Sequence, residues 1–256
     1  MKKIVFITGA SSGFGKACAE KFAAGGYNLI ITGRRKQRLE SLAASLRSEF
    51  GVEVLALAFD IQDRAAVFAA VQTLPETWKA VDVLINNAGL AAGRDYFDEA
   101  SLDDWETMID TNVKGLLYAS KAVLPLMIPR NRGHIINIGS TAAKEVYEKG
   151  NVYCATKFAV DAISKSMRID LLQHQIKVTA IHPGAAETEF SLVRFKGNQE
   201  QANKIYEGYT PLSPQDVAEV IYFCTTLPAH VCVNDLVLTC LAQASSYYLY
   251  KKPDLG

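Results

Sequence analysis

The sequence lacks both a charge imbalance and a long apolar run. Its 27 Lys and Arg residues balance 27 Asp and Glu residues, so no overall field favours nucleic acid or an anionic membrane. No apolar stretch approaches the roughly 18 residues that a membrane-spanning helix needs. With 49% hydrophobic residues, extensive disorder is also excluded. These absences predict a globular, water-soluble protein without nucleic-acid or membrane partners.

Cysteine and histidine are sparse, and their spacing does not indicate a metal site. The five cysteines form an odd set without a CxxC pair, and the four histidines make no metal-spaced pattern with them. We therefore expect reduced, buried thiols, no bound metal and a cytoplasmic location. Repeats, low-complexity tracts and linker-like composition are missing too, so we expect a single domain over residues 1–256.

The sequence does contain a regular alternation of two patterns. Short apolar runs rich in β-formers predict strands at residues 3–8, 28–32, 52–59, 81–85, 134–138, 177–181 and 236–239. Longer segments with helical periodicity lie between them, at residues 16–24, 38–50, 65–73, 113–127 and 153–172. This alternation predicts an α/β fold of the Rossmann type, a doubly wound parallel sheet of about seven strands with helices on both faces.

Two further segments fall outside this alternation. Residues 184–213 form the longest irregular stretch, and a connection of that length in a compact domain is usually functional. We expect it to be a substrate-loop insertion. Residues 241–256 form a C-terminal tail with the aromatic sequence SSYYLY at 245–250, which we expect to pack on a neighbouring subunit.

A glycine-rich turn follows the first predicted strand and leads into the first predicted helix. Gly9, Gly13 and Gly15 allow the backbone to turn tightly and to approach a pyrophosphate, whose negative charge is favoured by the helix start. The alternative is a glycine-rich turn that binds nothing, but the strand-turn-helix context favours a dinucleotide. The other predicted contacts of this turn are Ser11, Ser12 and Phe14.

The residues after the second predicted strand indicate which dinucleotide is used. An acidic residue at this position accepts hydrogen bonds from the ribose 2′-hydroxyl of NAD. Here the chain has Arg34 and Arg35 instead, and arginine is suited to a 2′-phosphate. The pair therefore predicts NADP, with Arg34 as the first choice; the alternative is that both are solvated residues at a helix start.

Three later motifs complete a recognisable set. Residues 86–89 read NNAG, Tyr153 and Lys157 are four residues apart, and Ser140 lies thirteen residues before Tyr153. Together with the glycine turn, and over almost the whole chain, they resemble the short-chain dehydrogenase/reductase family. The resemblance implies an oxidoreductase that acts on CH-OH groups.

The chemistry of such an enzyme needs these residue types. Residues at i and i+4 share one helix face, so the Lys157 ammonium can lie beside the Tyr153 phenol. A phenol titrates near about pH 10, and a neighbouring cation moves that value toward neutrality. We therefore interpret Tyr153 as the acid/base and Ser140 as the group that orients the substrate oxygen.

The resemblance implies further residues and an assembly. It makes Lys157 a ligand of the nicotinamide ribose and Asn112 part of a proton relay to that lysine. It implies subunit pairing into a homotetramer through the helices predicted at 113–127 and 153–172. The remaining cofactor contacts that it implies are Asp60, Ile61, Asn87, Ala88, Gly89, Tyr153, Pro183, Gly184 and Thr188. Asp60 has an alternative interpretation as a helix cap before Arg64.

The substrate is indicated by stretches at 104–112, 133–140 and 193–197, which resemble the NADP-dependent 3-hydroxy acid branch of the family. Those relatives act on L-allo-threonine, L-serine and similar small acids, so the resemblance implies a small hydroxy acid such as these or 3-hydroxypropionate. A substrate carboxylate needs a local cation, which Arg194 can supply as a bidentate partner. Tyr147 is a further predicted substrate contact. The alternative for Arg194 is a solvent-facing loop charge.

Two other functions stay open at this point. Residues 144–149 depart from the 3-hydroxy acid branch and lie at the expected substrate wall, which leaves a reductase of ketones or 3-oxoacyl groups as an alternative. A second alternative, from another class, is an NADPH-binding redox sensor without turnover. Such sensors generally lack the tyrosine or the lysine, and both are present here.

Overall fold

The seven strands found within residues 2–252 belong to one parallel sheet. The computed structural model describes residues 2–252, and the strand order is β3-β2-β1-β4-β5-β6-β7. The strands are β1 (Ile4–Ile7), β2 (Asn28–Gly33), β3 (Val54–Ala58), β4 (Val81–Asn86), β5 (Gly133–Ile138), β6 (Ile176–Pro183) and β7 (Asp235–Leu238). Each overlaps its predicted segment, so the predicted seven-stranded α/β sheet is confirmed.

The helices lie between consecutive strands. Within residues 2–252 they are α1 (Gly13–Ala24), α2 (Lys36–Phe50), α3 (Arg64–Gln72), α4 (Leu102–Ile109), α5 (Leu116–Met127), α6 (Asn151–Asp170), α7 (Glu189–Arg194), α8 (Gln199–Lys204) and α9 (Pro214–Thr226). The five predicted helical segments correspond to α1, α2, α3, α5 and α6. Among residues 2–252, no helix combines the length and the apolar character that crossing a membrane requires.

The sheet is apolar on both faces because helices cover both. All four residues of β1 are buried, as expected for a parallel strand with helices above and below it. On one face α1 and α9 pack together, with Phe22 and Ile221 fully buried. On the other face Val67 of α3 and Val123 of α5 are fully buried. The two cores hold the carboxyl ends of the strands in fixed positions at one edge of the sheet.

The strand order creates a crevice at that edge. The chain proceeds from β1 outward to β2 and β3 on one side, and from β4 outward to β7 on the other. Connections from β1 and β4 therefore leave in opposite directions, and ligands of doubly wound sheets bind where this reversal occurs. The turns after β1, β4, β5 and β6 all open into the crevice.

The segment 184–213 differs from the irregular loop that we predicted, because it contains α7 and α8. Side chains of Thr188 and Asn198 cap these two helices, which are local signals in the sequence. The tail folds back on its own chain as far as it is described: Tyr250 N donates to Ala242 O (2.9 Å) and Lys252 N donates to Gly208 O (2.9 Å). Residues 253–256 of the predicted tail lie outside the described residues.

Candidate active site

The glycine turn between β1 and α1 is shaped so that only glycine fits at two of its positions. Gly9 has a φ of +66°, and a Cβ on it would lie 2.9 Å from the Ala88 Cα. A Cβ on Gly15 would collide with the Gly9 carbonyl oxygen and the Asn87 side chain. Ser12 precedes α1 without a side-chain capping bond, so the helix start is open toward the crevice. An anion can therefore approach the backbone here and face the positive end of the helix dipole.

The turn after β4 holds the glycine turn in this shape. Asn87 Nδ2 donates to the backbone oxygens of Thr8 (2.8 Å) and Gly9 (3.1 Å). The Thr8 hydroxyl in turn accepts from the backbone N–H groups of Asn87 and Ala88, both at 3.0 Å. The NNAG motif therefore supports the turn after β1, besides lining the crevice.

The two predicted arginines have different environments. Arg34 has a side chain that is 64% exposed, and its closest charged neighbour is Asp60 at 3.9 Å. Arg35 donates to the Ser11 hydroxyl (3.0 and 2.9 Å) and the Ser12 hydroxyl (2.7 Å), and also to Glu189 Oε2 (2.8 Å). Arg34 can thus turn its guanidinium toward a new anion, whereas Arg35 already connects the glycine turn to α7.

Ser140, Tyr153 and Lys157 meet where β5 ends beside α6. The Ser140 hydroxyl accepts from Ala142 N (3.1 Å), which fixes the turn that it begins. Tyr153 is only 7% exposed. Lys157 Nζ donates to the Ile138 carbonyl (3.0 Å) and lies 5.8 Å from the centre of the Tyr153 ring. The structure brings the three predicted catalytic residues together, with the lysine beside the ring.

The pKa of Tyr153 differs from what the Tyr-Lys spacing predicts. Burial raises it, and a hydrogen bond with the Ser140 hydroxyl only partly opposes the rise. Burial also lowers the pKa of Lys157 to about 8. The expectation of a phenol whose pKa is moved toward neutrality by Lys157 is therefore wrong, because the loss of solvation dominates and the cation that partly lowers the pKa is Arg194 rather than Lys157.

Asn112 lies behind the crevice in a π-helical turn, Asp110–Gly115, that joins α4 to α5. Its side chain accepts from Leu90 N and donates to Leu90 O, each at 2.8 Å, and it donates to the Thr156 hydroxyl at 3.1 Å. A Cβ on Gly89 would be 3.3 Å from Asn112 Oδ1 and 3.6 Å from Lys157 Nζ, so these three residues adjoin. Single π-turns within helices are frequent at functional sites.

Arg194 is buried at the end of α7, contrary to the solvent-exposed alternative. It is 9% exposed, and within the described chain its Nε and Nη2 atoms have no hydrogen-bond partner. Its guanidinium carbon lies 5.5 Å from the ring centres of both Tyr147 and Tyr153. A buried guanidinium with two unpaired nitrogens is costly, and an anionic group that entered beside Tyr153 would satisfy them.

The predicted residues line one groove with a volume of about 1000 Å³. All of them contribute to its wall except Gly15, which lies beneath the glycine turn, and Asn112, which lies behind Gly89. Thus the groove runs from Arg34 and Asp60 at one end, past the glycine turn, to Ser140, Tyr153 and Arg194 at the other. This length and chemistry suit a dinucleotide with a small substrate beside it.

Three groove residues that the sequence did not predict make contacts that shape the site. Phe190 of α7 packs edge-on against the Tyr153 ring, with 5.6 Å between ring centres. Glu189 accepts from both Arg35 and Arg38, at 2.8 and 2.7 Å. Gln243 of the tail accepts from Ala185 N (2.7 Å) and so supports the turn after β6. No local sequence motif predicts these contacts, because each contact joins segments that are far apart in the chain.

Comparison with known proteins gives consistent similarities. The sequence matches the short chain dehydrogenase family over residues 3–198. It is 49% identical over 242 residues to the NADP-dependent 3-hydroxy acid dehydrogenase YdfG of Salmonella typhi, covering 94% of this chain and 96% of that protein. Sulfoacetaldehyde reductase 2 of Chromohalobacter salexigens is 45% identical over 249 residues, covering 97% and 98% of the two chains. The closed form of serine dehydrogenase complexed with NADP⁺ has a TM-score of 0.90 at 46% identity, covering 95% of this chain and 97% of that chain.

The fold, the groove and these similarities together define an oxidoreductase. The chain belongs to the short-chain dehydrogenase family. The family resemblance predicted from its glycine turn and its Ser-Tyr-Lys spacing is thereby confirmed.

Proposed function

We propose that the protein transfers a hydride between NADP(H) and a small 3-hydroxy acid or hydroxy amino acid of the L-serine, L-allo-threonine or 3-hydroxypropionate type. The observation that carries this proposal is the buried Arg194 guanidinium beside the Tyr153 ring, two of whose nitrogens have no hydrogen-bond partner within the described chain. A substrate with a carboxylate close to a hydroxyl can reach both groups at once. The similarity to the 3-hydroxy acid and serine dehydrogenases supports this substrate class.

The groove fits NADP. The glycine cradle and the open start of α1 would hold the pyrophosphate, and Arg34, with its exposed guanidinium, would hold the 2′-phosphate. Asp60 and Ile61 would contact the adenosine end, and Lys157 the nicotinamide ribose. The other proposed contacts are Asn87, Ala88, Gly89, Pro183, Gly184 and Thr188. When bound, NADP(H) accepts or supplies the hydride of the reaction.

The protein's own residues would handle the proton. Tyr153 exchanges a proton with the substrate oxygen, and Ser140 donates a hydrogen bond that orients this oxygen. Lys157 places a cation beside the phenol and stabilises its anion. We propose that Asn112, which adjoins Gly89 and Lys157, helps to conduct the proton onward through water.

The cofactor preference can be reversed at the two arginines. We expect Arg34→Ala with Arg35→Asp to raise KM for NADP by about 10- to 100-fold, because charge-assisted hydrogen bonds to the 2′-phosphate are lost. KM for NAD should fall, since the carboxylate introduced by the second substitution can accept from a ribose hydroxyl. Steady-state kinetics with both dinucleotides measure the ratio. Arg38→Ala is the matched control, because Arg38 pairs with Glu189 and does not line the groove; unchanged NADP preference in the double variant would refute the assignment.

A second anionic substrate class has a specific basis. Sulfoacetaldehyde reductase 2 is 45% identical to this chain, and a guanidinium binds a sulfonate as well as a carboxylate by charge-assisted hydrogen bonds. We therefore test L-serine, L-allo-threonine, 3-hydroxypropionate and isethionate with NADP, and follow the absorbance of the reduced nicotinamide. Turnover of the hydroxy acids supports the proposal. Turnover of isethionate alone, or of uncharged ketones and 3-oxoacyl compounds alone, would contradict it, and NADPH binding without any turnover would indicate a sensor.

The role of Arg194 is tested by removing its charge. We expect Arg194→Ala to raise KM for the hydroxy acid about 30- to 100-fold, because a charged hydrogen-bond partner contributes about 2–3 kcal/mol. KM for NADP should stay within about twofold, a range set by the ordinary scatter of surface substitutions. Lys196→Ala is the control, since Lys196 lies two residues away but is exposed and paired with Asp104 at 2.9 Å. An unchanged substrate KM in Arg194→Ala would exclude the carboxylate contact.

We propose further that the protein is a cytoplasmic homotetramer. Apolar side chains remain exposed on α5 and α6, including Leu117 (43%), Phe158 (40%) and Ile169 (76%), and pairing between subunits would cover them. All five cysteines are free, which fits a reducing compartment. Sedimentation of the purified protein measures the assembly, and a monomer at micromolar concentration would contradict it.

A further inference from the structure

A cluster of charged side chains lies behind Ser140, on the side away from the groove. Lys144 Nζ donates to Asp161 Oδ1 (3.0 Å) and to Asp235 Oδ2 (2.7 Å). His182 Nε2 lies 3.5 and 3.4 Å from the same two oxygens. None of these four side chains lines the groove. We refer to Lys144, Asp161, His182 and Asp235 as the rear cluster.

The rear cluster joins the elements that carry the catalytic residues. Lys144 ends the short turn Thr141–Ala143 that begins at Ser140. Asp161 lies on α6, on the same face as Tyr153 and Lys157 and one turn beyond the lysine. Through Lys144, the Ser140 turn is therefore tied to the helix that carries Tyr153 and Lys157.

The interior of the rear cluster requires a cation. His182 is fully buried, and within the described chain neither of its ring nitrogens has a hydrogen-bond partner. Two carboxylates and an imidazole nitrogen converge within 4.8 Å of one another. The Lys144 ammonium already bridges both carboxylates. Burial and the Lys144 ammonium lower the pKa of His182, so its imidazole is neutral at neutral pH and leaves the positive charge to the lysine.

The His182 ring also packs against the backbone of Gly139, the residue before Ser140. A Cβ on Gly139 would collide with the ring atoms of His182, and Gly139 N donates to Ile181 O at 2.7 Å. A movement of the ring would therefore displace the backbone that places the Ser140 hydroxyl. The cluster thus contacts the Ser140 turn from two directions, through His182 and through Lys144.

We propose that Lys144 is a positioning residue, whose bridge to Asp161 and Asp235 fixes the Ser140 hydroxyl relative to the Tyr153 phenol. The inference rests on the proposed roles of Ser140 and Tyr153. Its physical basis is that a displacement of about 1 Å in a catalytic group can lower the rate about 100-fold. Lys144 touches neither the groove nor the two catalytic side chains, so its effect would pass through the turn that it closes.

The chain contains a matched control for this role. Lys165 donates to the other oxygen of the same carboxylate, Asp161 Oδ2, at 2.6 Å. Both ends of that pair belong to α6, and the Lys165 side chain is 57% exposed. Lys144→Met and Lys165→Met therefore remove an equal charge from the same aspartate, but only the first releases the Ser140 turn.

The first measurement is turnover of the hydroxy acid with NADP. We expect Lys144→Met to lower kcat about tenfold with KM for NADP unchanged, as misplacement of a catalytic group by less than 1 Å would do. Lys165→Met should retain the wild-type kcat, and Lys144→Arg should recover most of the loss. Asp235→Asn removes one anchor of the bridge and provides a second variant, in case Lys144→Met does not fold. Wild-type kcat in folded Lys144→Met or Asp235→Asn would overturn the proposal.

The second measurement is the pH dependence of kcat, which reports the protonation of His182. The groups that face His182 are Lys144 from the turn after β5, Asp161 from α6, with Lys165 behind it, and Asp235 from β7. Without Lys144 the two carboxylates dominate, so the pKa of His182 should rise and the imidazolium should replace the missing ammonium at low pH. We expect kcat of Lys144→Met, relative to that of the wild type at the same pH, to fall as pH rises through that pKa, and this dependence to vanish when His182→Gln is added. A general loss of structure would not produce such a profile.

The His182 ring signals in NMR spectra report the same event in the protein without substrate. If the wild type turns over no hydroxy acid, the proposed function fails, and the titration alone then tests the rear cluster. An elevated His182 pKa in Lys144→Met, assigned by comparison with His182→Gln, supports the cluster. An identical His182 titration in the wild type and in Lys144→Met would overturn it.

Discussion

Replacing Tyr153 with phenylalanine is expected to lower kcat for hydroxy acid oxidation by about 10³-fold, within the range lost when a general acid/base is removed. The ring would keep its contacts with Phe190 and Arg194, so the groove should retain its shape. Only the hydroxyl that exchanges the proton is removed. NADPH binding, measured by fluorescence titration, should change by less than about threefold, because no charge-assisted contact is lost.

The control for this substitution is Tyr222→Phe. Tyr222 packs edge-on against Phe22 and does not line the groove. It should retain full activity, since its hydroxyl is remote from Ser140 and Lys157. If Tyr153→Phe kept more than a tenth of the wild-type kcat, another group would have to exchange the proton.

The raised pKa of Tyr153 sets the expected pH dependence of the wild type. Burial favours the neutral phenol, so the acid form predominates at neutral pH and the base form increases only as pH rises. The rate of alcohol oxidation, which needs a proton acceptor, should therefore rise with pH from 7 upward. Carbonyl reduction needs the proton donor and should not rise. Oxidation that declined above pH 7 would contradict Tyr153 as the base.

Replacing Lys157 with methionine is expected to reduce turnover about 100-fold and yet to stabilise the protein without ligand. The lysine is buried, and its pKa is lowered from 10.5 to about 8. The difference between these values corresponds to at most about 3 kcal/mol of unfavourable free energy for the buried ammonium. Loss of its hydrogen bond to the Ile138 carbonyl would offset about 1 kcal/mol of that gain.

The size of this stabilisation depends on pH. Because the folded pKa lies below the unfolded one, the unfolded chain binds more protons between pH 8 and 10.5, and wild-type stability rises through that window. At pH 7 we expect Lys157→Met to melt about 4–8 °C higher, as about 2 kcal/mol predicts for a chain of this size. The difference should shrink at pH 10. Lys16→Met, at an exposed site, should change neither property, and a lower melting temperature for Lys157→Met at pH 7 would contradict the burial argument.

Much of the fold followed from patterns of short range. Each apolar run of β-formers became a strand, because a parallel strand covered on both faces has no polar side to interrupt its pattern. The helices that we did not predict had local signals as well. Ser213 and Asp216, for example, form a reciprocal capping box at the start of α9.

The candidate site was predictable where its residues form local sequence motifs with a fixed spacing. The glycines of the first turn, the four-residue separation of Tyr153 and Lys157, and Ser140 at a strand end are all local features, and the structure brings them into one groove. The roles of these residues remain proposals. Spacing could not give the direction of the Tyr153 pKa, because it reports the nearby lysine but not the loss of solvent.

The sequence by itself thus determined the α/β sheet, the glycine turn after β1, the arginines after β2 and the family. Turn chemistry and the periodicity of strands and helices are properties of neighbouring residues, so they can be recognised without knowing how the chain packs. Only the tertiary structure decided the burial of Arg194, the link between Arg35 and Glu189, and the convergence of Lys144 with Asp161 and Asp235. The Arg35–Glu189 and Lys144–Asp235 contacts join residues that are 154 and 91 positions apart in the chain. The burial of Arg194 likewise depends on how the helices pack over the sheet.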